Sequence, residues 1–133
     1  MSRPDAIINI KNLRLRTFIG FNPEEREKQQ DIVINIEIRY AVNEAALDDE
    51  VDEALNYKTI TKRVIALVEA GRFLLLERLV KDVLDICCKH PDVRSARVTI
   101  DKPHALRFAD SVSLTLEYQR TAASIDNYLE RAS

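Results

Sequence analysis

The chain has 133 residues but only two glycines, so it fits one domain with a real core and lacks the glycine-rich loops that cradle phosphates. Such loops need several glycines within a few residues so that backbone amides can approach the anion; Gly20 and Gly71 stand alone, which excludes Walker and dinucleotide fingerprints. The 20 Lys and Arg are mixed with 22 Asp and Glu, leaving no basic stripe for nucleic acid.

The N-terminal MSRPDAIINI carries no signal-like apolar stretch, and no apolar run is long enough to cross a membrane. A cytoplasmic protein with neither membrane nor nucleic-acid partners is expected. Residues 6–19 alternate as a strand, but the apolar phase moves from Ile8 and Ile10 to Leu13 and Leu15, which predicts a bulge near Lys11 and Asn12. Asn22, Pro23 and Glu25 then read as an N-cap, a first-turn proline and a third-position acid, so one helical turn is expected there. Residues 31–40 form a second strand without a slip, with Ile32, Ile34, Ile36, Ile38 and Tyr40 on one face.

The acidic stretch 44–53 reads as a solvated loop or a short exposed helix. Residues 58–70 place Ile60, Val64, Leu67 and Val68 at helical spacing, with Gly71 as terminator. A second helix is expected over 74–89, its apolar stripe running from Leu76 to Cys87 with Glu77 on the margin, and His90-Pro91 closing it. Cys87 and Cys88 diverge by about 100° on a helix, so they read as reduced, packed thiols without metal-ligand spacing. The last strands are 94–102 and 111–119. In the first, Ala96, Val98 and Ile100 share a face, and the same phase puts Lys102 on the core side. Taken alone, that lysine reads either as a strand-end side chain snorkelling to water or as a functional group.

The order ββααββ predicts an α+β domain over residues 1–120: a four-stranded antiparallel sheet with two helices on one face and a polar opposite face. Two open edges on long strands predict self-association. Residues 121–133 read as a tail, with Ile125, Tyr128 and Leu129 on one face should a short helix form after Ser124.

Four segments carry a resemblance. TFIGFNPEERE (17–27), ALNYKTI (54–60), GRFLLLERLVKDV (71–83) and IDKPHALRFADSVS (100–113) resemble the dihydroneopterin aldolase family, pterin enzymes of the tunnelling fold. Within it, LRLRTFIG (13–20) and DKPHALRFADSVS (101–113) are more similar to the branch that epimerises dihydroneopterin triphosphate than to the folate-pathway aldolases. The resemblance implies catalytic positions at Glu25, Tyr57 and Lys102 and pterin binding at Glu77 with neighbouring Leu76. It also implies no cofactor or metal, and a homo-octamer of two stacked tetramers with sites between adjacent subunits.

The implied reaction is a retro-aldol cleavage between C1′ and C2′ with re-formation after the aldehyde has turned, which inverts C2′. The ring imine C6=N5 accepts the electrons, so no Schiff base or metal is demanded. Physically, a carboxylate such as Glu77 accepts the paired 2-amino and ring N–H donors of a pterin as it would an arginine fork. Lys102 is the candidate for proton transfer, as an ammonium relaying through water or as a neutral base. Tyr57 would orient or exchange a proton with the side-chain oxygens, and Glu25 would bind the hydroxyls. With no glycine loop, triphosphate recognition is expected from His104 and Arg107, with Arg14 and Arg16 as further cations. The alternatives are an aldolase releasing glycolaldehyde and 6-hydroxymethyl-dihydropterin, and a non-catalytic pterin-binding ring. Gly20 and Gly71, five and six residues before Glu25 and Glu77, are each expected to shape the approach to a carboxylate.

Overall fold

A computed structural model describes residues 4–51 and 54–121. Strand β1 (Asp5–Ile19) leads through helix α1 (Pro23–Glu27) to β2 (Gln30–Ala41), then α2 (Glu44–Leu47), α3 (Tyr57–Ala70), β3 (Arg72–Phe73), α4 (Leu76–Cys87), β4 (Val93–Pro103) and β5 (Ser111–Gln119). The sheet order is β3-β1-β2-β4-β5. Its central pairings are antiparallel, as the alternation predicts.

The expected four-stranded antiparallel sheet is corrected in one respect. Arg72 and Phe73 pair in parallel with Phe18 and Ile19, which makes a fifth strand and a mixed sheet. Two residues are too few to leave a periodic signal. The pairing follows from the tight exit of α3. Gly71 ends that helix with its amide on the Val68 carbonyl (3.3 Å), and the buried Thr17 hydroxyl donates to the same carbonyl at 2.6 Å. Thr17 therefore ties β1 to the C-terminus of α3, adding a second donor to the carbonyl that the Gly71 amide caps. A Cβ on Gly71 would strike the Phe73 ring, so this glycine admits Phe73 to the core and does not shape the approach to Glu77.

The bulge lies where the phase change predicts it. Pairing with β2 shifts between Ile10 and Leu13, and Asn12 adopts φ 54 with its amide donating to Asn35 Oδ1 at 2.9 Å. Asparagine tolerates that left-handed backbone better than most residues. Beyond the bulge, Leu13, Leu15, Thr17 and Ile19 face inward, so β1 delivers Gly20 to the helix-covered side of the sheet.

Ile32, Ile34, Ile36 and Ile38 are all essentially without solvent contact. Their burial contributes roughly 6–12 kcal/mol at most, and a slip of one residue would move all four to the polar face, which fixes the register. Helix α3 packs over β1, and α4 over β4 and β5, so both long helices share one face as expected. Helix α4 begins at Leu76, two residues later than the expected start, because Leu74 lies in a bend and Leu75 is extended, both exposed. The acidic stretch opens with α2, capped by Asn43, whose side chain accepts from the Ala45 amide at 2.8 Å. Asp52 and Glu53 lie outside the described residues, as does the tail beyond residue 121.

Candidate active site

Lys102 extends from the penultimate position of β4 into the helix-covered side and forms a salt bridge with Glu25 Oε2. The lysine side chain is 13% exposed, so this is not a snorkelling strand end. Glu25 comes from α1, whose expected cap is only partly formed, since the Asn22 side chain makes no capping bond. The carboxylate instead lies against the bare Cα of Gly20. Gly20 has φ 124, and a Cβ there would collide with all three atoms of the Glu25 carboxyl group. Its backbone conformation favours glycine, and any Cβ there would displace the Glu25 carboxylate.

Gln30, the first residue of β2, completes the surround. Its side-chain amide donates to the Ile19 carbonyl at 2.6 Å and to Glu25 Oε2 at 3.4 Å. The hydrogen bond from Lys102 holds the Glu25 carboxyl below its ordinary value of 4.5; partial burial opposes this, and the Gln30 amide adds to it. Glu25 is thus an ionised acceptor.

A cavity of about 280 Å³ opens beside this pair, lined by Gly20, Phe21, Glu25, Glu77, Lys102 and the start of β5, among others. Glu77 stands in the first turn of α4, exposed and facing this space. No side chain caps α4, because Leu75 occupies the capping position, so the first-turn amides are open to a ligand acceptor. Leu76 lines the cavity too, with Leu74 and Leu75 as apolar walls. The sequence pattern missed these two walls, because they break the helical period. It also missed Gln30, since a lone amide at a strand start leaves no periodic trace.

Tyr57 is not in this group. It begins α3, is half exposed, and lines a separate cavity with Ile8, Tyr40 and Leu55. Lys102 lies level with Ile32 and Tyr57 lies near Tyr40, which separates them by about 26 Å along β2. No side chain spans that distance within one subunit.

The cations divide as well. His104 takes a left-handed backbone (φ 65) and shares a cavity of about 880 Å³ with Arg14 and Arg16. Arg16 is partly committed, to the Gln29 carbonyl at 3.0 Å and to Asp31 at 3.2 Å. Arg107 lies on the exposed loop after His104, its guanidinium 5.4 Å from the Phe108 ring centre. Cys87 and Cys88 are free thiols, each pushed up to about 12 chiefly by burial, which suits inert packing.

Residues 8–117 match the model of the FolB dihydroneopterin aldolase family. The chain belongs to the dihydroneopterin aldolase family. Its match contains Glu25, Tyr57, Glu77 and Lys102. The dihydroneopterin triphosphate 2′-epimerase of Escherichia coli is 57% identical over 120 residues, covering 90% of this chain and all of that protein. The enzyme of the same name from Pseudomonas aeruginosa is 51% identical over 86% of this chain and 94% of its own. The crystal structure of the E. coli dihydroneopterin aldolase in complex with neopterin superposes with a TM-score of 0.78 at 30% identity, covering 85% of this chain and 98% of that one. Within the family, this chain is therefore far more similar to the epimerases than to that aldolase. Among its described residues, no helix is long and apolar enough to cross a membrane.

Proposed function

We propose that this chain is a dihydroneopterin triphosphate 2′-epimerase, inverting C2′ to give dihydromonapterin triphosphate. The observation that carries this reading is the 57% identity across the whole length of a 2′-epimerase. The site supplies the chemistry. Glu77 accepts the 2-amino and ring N–H donors of the pterin, while the uncapped amides of α4 receive the ring carbonyl. Leu74, Leu75 and Leu76 shield the ring from water.

In the forward step the 2′-hydroxyl loses its proton, the C1′–C2′ bond breaks into a C2′ aldehyde, and the bonding electrons move through C1′=C6 to N5, which gains a proton. Lys102 passes that proton through water from the 2′-oxygen to N5, so no net proton is gained or lost. Glu25, ionised and held by Lys102, binds the substrate hydroxyls. The aldehyde carbon is planar; rotation before re-addition inverts it, and the same proton returns by the same route. Escape of the aldehyde gives the aldolase reaction instead, so the two activities share their first step.

The cavity of one chain is only a half site. Its 280 Å³ lies just below the roughly 300–1,000 Å³ of ligand pockets, and Tyr57 stands at the far end of the sheet. Tyr57 would therefore complete the site of an adjacent copy in a homo-octamer of two stacked tetramers. The outer edges of β5 and of most of β1, unpaired within the described chain, are the surfaces such a ring would join. His104 and Arg107, on the loop leaving Lys102, are the proposed triphosphate contacts.

Turnover is tested with Lys102→Ala. The expected result is that wild-type protein converts dihydroneopterin triphosphate, whereas the variant loses turnover by orders of magnitude yet still binds pterin, read by fluorescence titration. A wild-type protein that binds pterin without converting it would overturn the enzyme reading in favour of a binding ring.

A further inference from the structure

We infer that Gln30 is a positioning residue, acting on Lys102 through Glu25, and that it selects which carboxylate oxygen receives the lysine and which is left for substrate. The inference rests on the proposed site but reaches a residue that the sequence pattern did not single out. Its basis is convergence. The Gln30 amide and the Lys102 ammonium both donate to Glu25 Oε2 and neither to Oε1, while the Asn22 backbone amide adds a hydrogen bond to the same carboxylate.

Gln30 is itself fixed by its second donor. The 2.6 Å bond to the Ile19 carbonyl anchors the amide to the end of β1, immediately before the left-handed turn at Gly20. Glu25 thus occupies a slot with the Gly20 Cα as its floor and Gln30 as one wall, with Lys102 donating to the same oxygen. An anchored amide in that wall holds Oε2 toward Lys102 and turns Oε1 to the reacting hydroxyls, with no need for the substrate to order the carboxylate.

The neutral amide also explains why no charged residue serves there. A lysine would compete with Lys102 for the carboxylate, and a glutamate would set two anions side by side. An amide donates without altering the charge balance of the pair. The other charges near Glu25 are Glu77, across the cavity on α4, and Glu24 and Arg26 on α1 itself. None of these donates to Oε2.

The test uses Gln30→Leu, similar in size but without donors, and Gln30→Glu. Two readouts are taken on the full chain: the titration of the Glu25 side-chain carboxyl by ¹³C NMR, and the pH profile of turnover. Losing a donor to the charged form raises the midpoint of Glu25, and an added carboxylate raises it further, so the expected order is wild type, then Gln30→Leu, then Gln30→Glu. The acid limb of kcat/KM moves to higher pH in the same order, and kcat of Gln30→Leu falls about tenfold with little change in pterin affinity, the low end for a hydrogen bond to a charged group.

Gln30→Leu with a lower Tm and an unchanged Glu25 midpoint would mean a purely structural role and would overturn the inference. Should that variant not fold, Gln30→Asn, whose shorter amide cannot reach Oε2 from the same anchor, is expected to raise the midpoint; an unchanged midpoint there overturns it equally. The NMR titration needs no substrate, so it stands apart from the epimerase reading, which fails separately if wild-type protein shows no turnover.

Discussion

Replacing Gly20 by alanine probes the link between backbone and site, because one added methyl makes two separable demands. The first is conformational: φ 124 is strained for any L side chain, at a cost of about 1–3 kcal/mol. For a chain of this size that is a Tm loss of roughly 3–12 °C. The second is steric. The new Cβ lands on the Glu25 carboxyl group, the far end of a flexible side chain, which can swing away at little cost to folding. Swinging away breaks the contact with Lys102, so activity suffers more than stability. Gly20→Ala should therefore fold, melt somewhat lower, and lose nearly as much kcat/KM as Glu25→Ala. In a double-mutant cycle the two losses should not add, since the alanine at 20 has already displaced the group that the second substitution deletes. Calorimetry with steady-state kinetics on the four proteins gives the answer. Additive losses, or a Gly20→Ala enzyme with wild-type kcat/KM, would refute the argument.

Three further outcomes are expected. The folded-state value of Glu25 is depressed by Lys102, so its contribution to stability is full above about 4.5 and is lost as pH falls through the lower folded value; the stability gap between wild type and Glu25→Gln, measured by denaturant titration, should therefore narrow below pH 4. Thr17→Val should lower the unfolding free energy by about 1–3 kcal/mol, read as a lower denaturant midpoint with an unchanged m value, because it removes the buried 2.6 Å bond to the Val68 carbonyl. Mixing Tyr57→Ala and Lys102→Ala subunits, each expected to be inactive alone, through unfolding and refolding should restore part of the activity, since shared sites would pair an intact Tyr57 with an intact Lys102; no recovery in confirmed mixed oligomers would contradict a site shared between subunits.

Much of this site is legible in the sequence where a period is broken. The phase change between Ile10 and Leu13 locates the Asn12 bulge, and that bulge sets the inward face of β1 through to Gly20. Lys102 is legible for the opposite reason, as a charge that keeps the core phase of Ala96, Val98 and Ile100. The spacing from Gly20 to Glu25 holds a real contact, whereas the similar spacing from Gly71 to Glu77 does not, because Gly71 makes room for Phe73. What period cannot reveal is pairing between distant segments. The parallel contact of Phe73 with Ile19, the reach of Gln30 to Ile19 and Glu25, and the separation of about 26 Å along β2 between Lys102 and Tyr57 all depend on which chain ends the sheet brings together.

The central claim is that this site inverts C2′ and retains the aldehyde. Purified protein is incubated with dihydroneopterin triphosphate under reducing conditions, and the pterins are separated by chromatography, after dephosphorylation and oxidation, over a time course. Epimerisation predicts that monapterin accumulates toward an equilibrium with neopterin while the hydroxymethyl pterin stays minor. Dominant formation of the hydroxymethyl pterin from the earliest points, with little monapterin, would contradict it.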